Sequence, residues 1–68
     1  MNMMAVVSSN VAAVGYEPVS GTLRVQFHSG HCYDYYEVSP TLYSEMLKPH
    51  PWRRVGRIVM AHKHKRVA

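Results

Sequence analysis

The 68-residue chain predicts an α+β domain: a three-stranded antiparallel β-meander followed by one or two C-terminal helices packed on one face. Three observations predict it. "TLRVQF" (22–27) alternates between apolar and polar residues, the pattern of a strand with one buried face. "HSGHCYDYYEV" (28–38) starts with turn residues and continues as an aromatic run suited to a strand. "SPTLYSEMLK" (39–48) opens with a serine that can cap a helix and a proline at the first helical position.

Residues 1–7 form a short N-terminal segment, and a first strand is expected over "VAAVGYE" (11–17), with a bulge at its central Gly15. "PVSG" (18–21) is a turn signal. The register of the next hairpin follows from elimination. A two-residue loop at Ser29-Gly30 would set Val25 against Asp34 and turn a carboxylate into the core, which is costly without a partner. A three-residue loop, His28-Ser29-Gly30, places Gly30 in the left-handed position of a bulge. It sets Phe27 against His31, Val25 against Tyr33 and Leu23 against Tyr35. Arg24 then lies across from Asp34, a favourable pair. A one-residue slip would reverse every one of these assignments. Tyr33 and Tyr35 are therefore expected on the packed face with their hydroxyls at its rim. Cys32 and Tyr36 fall on the opposite face with Arg24 and Gln26, and Tyr36 is the candidate for an exposed contact.

In the helix at 39–48, Leu42, Tyr43, Met46 and Leu47 form one apolar stripe. "PHP" (49–51) ends it, and Pro51 opens a second helix, "PWRRVGRIVMAHK". Trp52, Val55 and Val59, flanked by Ile58, give its buried side. Arg53 and Arg57, four residues apart with Arg54 beside them, give a basic outer side. Gly56 either weakens this helix or allows close packing. The whole chain is read as a single domain: a core over 8–47, a basic helix over 48–61 and a flexible basic tail over 62–68.

Charge is unevenly spread. Residues 1–47 hold one basic residue, Arg24, against Glu17, Asp34, Glu37 and Glu45. Residues 48–68 hold Lys48, Arg53, Arg54, Arg57, Lys63, Lys65 and Arg66 and no acid, so this segment carries +7 against −3 for the rest and gives the whole chain its net charge of +4. Such a third attracts polyanions. A chain this short buries a limited core, which leaves homo-oligomerisation open. Its single cysteine, Cys32, excludes an intramolecular disulfide and a cysteine-rich zinc cage. No signal-peptide pattern and no membrane-spanning run is present, so a cytoplasmic protein without a membrane partner is expected.

"SSNVAAVGYEPVSGTLRVQFHSGHCYDYYEV" resembles the KTSC domain, a short module found at the C-terminus of some lysyl-tRNA synthetases and as small bacterial and phage proteins. The resemblance rests on Ser8 and Ser9, the Gly15-Tyr16-Glu17 triplet, Val25, Phe27 and Gly30, the Tyr33-Asp34-Tyr35 motif, and Val38 and Pro40 before the helix. It covers roughly residues 6–47. Beyond residue 48 only the Arg57-Ile58 region is reminiscent of the family. The resemblance implies the fold, and the synthetase context suggests RNA binding. A free-standing copy also resembles a phage gene product, which would act in the host cytoplasm.

The leading functional expectation is nucleic-acid binding, RNA more than DNA. Arg53, Arg54, Arg57, Lys63, Lys65 and Arg66 would neutralise phosphates, and Tyr36 would stack on an unpaired base. Trp52 is a second stacking candidate, though a sole tryptophan in a small domain more often anchors the core. The alternative is a protein-interaction module, such as a phage-encoded protein that docks on an acidic host protein. No metal site is expected: Cys32 and His31 point to opposite faces, and His62 and His64 lie in the tail. No cofactor and no enzymatic activity are expected. The chain shows no carboxylate pair in a shared cleft, no Gly-rich phosphate loop and no base placed to activate Cys32 or a serine.

Overall fold

The computed structural model describes all of residues 1–68. Five antiparallel strands form one sheet in the order β1-β2-β3-β4-β5: Met4–Ala5, Val11–Glu17, Thr22–Phe27, Cys32–Tyr35 and His64–Arg66. Two helices, α1 (Pro40–Met46) and α2 (Pro51–Met60), lie between β4 and β5 in sequence. The α+β class and the helix pair are as the sequence indicates, but the sheet has five strands rather than three. The two additional strands are the edges, and neither alternates in the sequence.

The β3–β4 hairpin has the register derived above: Leu23 pairs with Tyr35, Arg24 with Asp34, and Val25 with Tyr33. Phe27 N–H donates to the His31 carbonyl at 2.9 Å, and Gly30 N–H to the Phe27 carbonyl at 2.9 Å. Gly30 sits at φ 96°, where a side chain would be strained.

In β2 the bulge is not at Gly15. The pairing steps from Val11–Phe27 to Ala13–Gln26, so Ala12 is the extra residue. Strict alternation would put Val11 and Val14 on opposite faces, since they are three residues apart. The extra residue brings both to the packed face, and both are fully buried. Gly15 pairs regularly with Arg24 and serves a different purpose. A Cβ there would sit 2.7 Å from Met3 Sδ and 3.0 Å from the Asn2 carbonyl oxygen, so its absence lets the N-terminal segment cross the sheet.

The core is Val11, Val14, Leu23, Val25, Tyr35, Val38, Met46 and Val59. Both helices are shorter than their apolar patterns. Ser39 Oγ accepts from Leu42 N–H at 3.1 Å and caps α1, which ends at Met46 and leaves Leu47 at its C-cap, 42% exposed. In α2, Val59 is buried and Trp52 and Val55 are half-buried, as the stripe implies. Ile58 is not part of that side and is 55% exposed. Gly56 is a packing glycine: a Cβ there would lie 3.1 Å from Trp52 Cδ2, so the indole lies close along its own helix.

The C-terminal tail is not loose. Residues 64–66 pair with β4, and backbone bonds extend the contact at both ends. Tyr36 N–H donates to the Lys63 carbonyl at 2.8 Å, and Val67 N–H to the Cys32 carbonyl at 2.8 Å. The unpaired edge of β4 supplies these partners, and "HKR" follows it despite weak strand propensity. The charged side chains suit an exposed edge.

Candidate nucleic-acid interface

Strand alternation sorts the seven residues expected to bind nucleic acid. Asp34 faces Lys65 across the β4–β5 ladder, on the sheet face that the helices leave open. Tyr36 is on that face also, half-buried, with Lys63 bonded beside it through its carbonyl. Arg66 pairs with Tyr33 and so lies on the helix side. Arg53 and Arg57 are exposed on α2. The seven therefore do not converge on one surface: Arg53, Arg57 and Arg66 belong to the helix side, and Tyr36 and Lys65 to the open face.

Arg54 does not belong with Arg53 and Arg57. Its Nε donates to the Pro49 carbonyl at 3.0 Å, Nη1 to Glu45 Oε1 at 2.9 Å and Nη2 to the Glu45 carbonyl at 2.7 Å. The whole guanidinium is spent on clipping α2 to the end of α1. Glu45 also receives Lys48 Nζ at 2.6 Å. That bond, followed by the charge of Lys48 and then Arg54, holds the Glu45 carboxyl below its ordinary value despite some desolvation.

The open face is organised around a bidentate pair. Arg24 Nε and Nη2 donate to the two carboxylate oxygens of Asp34 at 2.7 and 2.9 Å. Asp34 is buried, 7% exposed, and this bond is what makes its burial tolerable. The same hydrogen bond raises the Arg24 guanidinium above its ordinary value. Burial pushes the neighbouring Cys32 thiol up, against an opposing pull from Arg24, so the thiol is held protonated.

The structure therefore divides the cations into two groups. Arg24, Lys48 and Arg54 are paired with carboxylates. Arg53, Arg57, Lys63, Lys65 and Arg66 have no Asp or Glu partner, although Arg66 Nε donates to the Ala68 oxygen at 3.2 Å, and all five lie within residues 53–66.

The aromatic side chains form a continuous array on the helix side. Trp52 meets Phe27 edge to face at 5.1 Å, Phe27 meets Tyr33 at 6.1 Å, and His64 packs on Tyr35 at 5.2 Å and on Tyr33 at 6.1 Å. Tyr35 is buried as expected, and desolvation raises its hydroxyl above the ordinary value. Tyr33 and Trp52 remain half-buried and present part of their rings to solvent. Nothing in the sequence around His64 points to this position; its pairing with Tyr35 across the β4–β5 ladder brings it there.

These features define a small antiparallel sheet with one face covered by a helix pair and with its unpaired positive charge gathered at the C-terminal end. The KTSC domain model matches residues 7–50, and the chain belongs to the KTSC domain family. A protein of Tsukamurella paurometabola is 40% identical over 45 residues, covering 66% of this chain and 67% of that one. The crystal structure of a KTSC domain protein from Yersinia pestis superposes with a TM-score of 0.87 at 20% identity, covering 98% of this chain and 97% of the other. That likeness shows the fold.

Proposed function

We propose that the protein is a non-enzymatic, cytoplasmic nucleic-acid-binding module that prefers RNA to DNA. The observation that carries this reading is that all five cations without an Asp or Glu partner fall within residues 53–66. A paired cation must give up its partner to meet a phosphate, whereas an unpaired one only releases counterions. The half-exposed rings of Trp52, Tyr33 and Tyr36 supply stacking surfaces for unpaired bases, which favours single-stranded RNA over a duplex.

The test is fluorescence anisotropy of labelled single-stranded RNA and duplex DNA at two or more salt concentrations. Arg53→Ala/Arg57→Ala should bind more weakly and flatten the salt dependence for the single strand by about 1.4, since each lost phosphate contact removes about 0.7 from the slope. An absence of binding to both polymers at low salt would sink the reading, as would an unchanged double variant.

A second reading, docking on an acidic host protein such as a phage-encoded chain would target, draws on α2 itself. Ile58 and Met60 are 55% and 49% exposed beside Arg57. Exposed apolar side chains next to an arginine suit a protein surface better than a phosphate backbone. Retention of one host protein at moderate salt by the wild-type chain, lost in Ile58→Ser/Met60→Ser, would favour it.

A further inference from the structure

Three segments far apart in sequence meet to form a pocket of about 370 Å³, open to solvent and lined by Ser9, Asn10, Phe27, His28, Ser29 and Trp52. Its size is at the lower end of small-ligand sites. The framework is held by hydrogen bonds. Ser8 Oγ accepts from the N–H groups of Asn10 and Val11 at 3.1 and 3.0 Å, which fixes the turn before β2. The Ser8 carbonyl accepts from His28 Nε2 at 2.9 Å, and the Asn10 carbonyl from His28 N–H at 3.0 Å, which ties that turn to the hairpin. His50 N–H donates to the Val7 carbonyl at 2.7 Å, which brings in the start of α2. The pocket is thus preformed.

Its chemistry is two-sided. Phe27 and Trp52 give an apolar corner, with the rings edge to face at 84° to one another. Ser9, Asn10, His28 and Ser29 give a polar rim. The Asn10 amide is bonded only to Ser9 Oγ, at a long 3.3 Å, so its hydrogen-bonding capacity is largely free. No carboxylate lines the site, and Arg53, one of the unpaired cations, follows Trp52 directly. A planar, uncharged ring with hydrogen-bonding groups on its edge and a phosphate beside it matches all of these features.

We propose that this pocket takes one unpaired nucleobase, stacked on Trp52 with its polar edge on Asn10 and the serines, while Arg53 meets the adjoining phosphate. The proposal rests on the nucleic-acid reading above and adds to it the base-binding subsite. It also gives Ser8 and Ser9 distinct tasks: the first builds the turn and the second faces the ligand.

Trp52 is the only tryptophan, so its emission reports on the pocket alone. The experiment titrates the full chain with a short single-stranded RNA and with an abasic strand of equal length, following strand anisotropy and Trp52 emission together. The base-bearing strand should quench Trp52 over the same concentration range as it binds. The abasic strand should bind roughly tenfold more weakly and leave the emission unchanged, because a stacked base contributes on that scale. Asn10→Ala, an exposed position away from the core, should weaken the base-bearing strand and not the abasic one. Salt-sensitive binding of both strands with no change in Trp52 emission would overturn the pocket proposal and leave phosphate binding standing. Binding of neither strand at low salt would overturn both.

Discussion

Residues 7–50 and residues 51–68 differ in what they share with other chains. The KTSC model matches the first region and stops before α2, yet the likeness to the Yersinia pestis structure spans 98% of this chain. The fold therefore runs on through α2 and β5 after the sequence match has ended. The first region supplies seven of the eight core side chains, and the last third supplies Val59. Buried Pro51 and half-buried Trp52 and Val55 complete its inward contacts. Few positions of the last third are committed inward and β5 is held by backbone bonds, and its outward positions carry Arg53, Arg57, Lys63, Lys65 and Arg66 beside exposed Ile58 and Met60. Fold and charge are thus carried by separate residues in this domain.

The largest expected effect tests whether the two regions form one cooperative unit. Leu23 and Val59 are both fully buried. Leu23→Ala should cost about 3 kcal/mol, and Val59→Ala about 2 kcal/mol. A 68-residue domain has a net stability of only about 3–10 kcal/mol on a per-residue basis, so Leu23→Ala should bring it close to unfolding. Urea denaturation followed by Trp52 emission and by far-UV circular dichroism measures both variants. If Val59→Ala left the circular-dichroism midpoint unchanged, α2 would be a separate, weakly attached element and the comparison would fail.

How much of this division was legible in the sequence differs by element. The β3–β4 register was fully determined, because apolar residues, the Arg24–Asp34 pair and Gly30 each selected the same loop. The bulge lies at Ala12 and not at Gly15, because spacing and not the glycine decides it. The two valines of "VAAV", three apart, already required an extra residue at Ala12 if both were to be buried. The strand β5 was not legible: "HKR" has neither alternation nor propensity, and only the free edge of β4 makes it a strand. At the candidate site the exposure of Arg53 and Arg57 followed from helical spacing, whereas the diversion of Arg54 did not. Its partners, Glu45 and the Pro49 carbonyl, are brought to it by the bend at His50, whose φ of 55° no local pattern announced. The pocket under Trp52 required three segments to meet, and no single stretch encodes it.

A smaller effect separates the two ion-pair sites. Arg24–Asp34 spans two strands of the first region, and Arg54–Glu45 joins the first region to the second. The Arg24 side chain is 37% exposed, so solvent screens its pair in part. A double-mutant cycle on Arg24 and Asp34 should give a coupling of about 1 kcal/mol, supported by the bidentate geometry and the burial of Asp34. The coupling between Arg54 and Glu45 should be smaller, since its carboxylate is 34% exposed where that of Asp34 is 10% exposed. A larger coupling at Arg54–Glu45 would make the clip between the helices the stronger link, and the last third could not then be described as loosely committed.

The smallest effect is a pH dependence that lies at that clip. The Glu45 carboxyl is held below its ordinary value by Lys48 first and Arg54 second, so its folded pKa is lower than that of the unfolded chain, near 4.3. A group depressed in this way contributes stability at pH values above the unfolded pKa, and the contribution disappears as pH falls through the folded value. The melting temperature should therefore hold steady from neutral pH to about pH 5 and decline below it, and Glu45→Gln should remove that part of the decline. The same substitution releases Lys48 and Arg54 from their shared counter-charge, so it joins the stability argument to the binding argument. Glu45→Gln should bind single-stranded RNA somewhat more tightly at neutral pH, with a steeper salt dependence, because Lys48 becomes free to meet a phosphate and Arg54, still held by the carbonyls of residues 45 and 49, loses its counter-charge. An unchanged salt slope alongside the lost acid sensitivity would mean that Lys48 and Arg54 lie off the path of the strand, confining the interface to Arg53, Arg57 and the cations of residues 63–66.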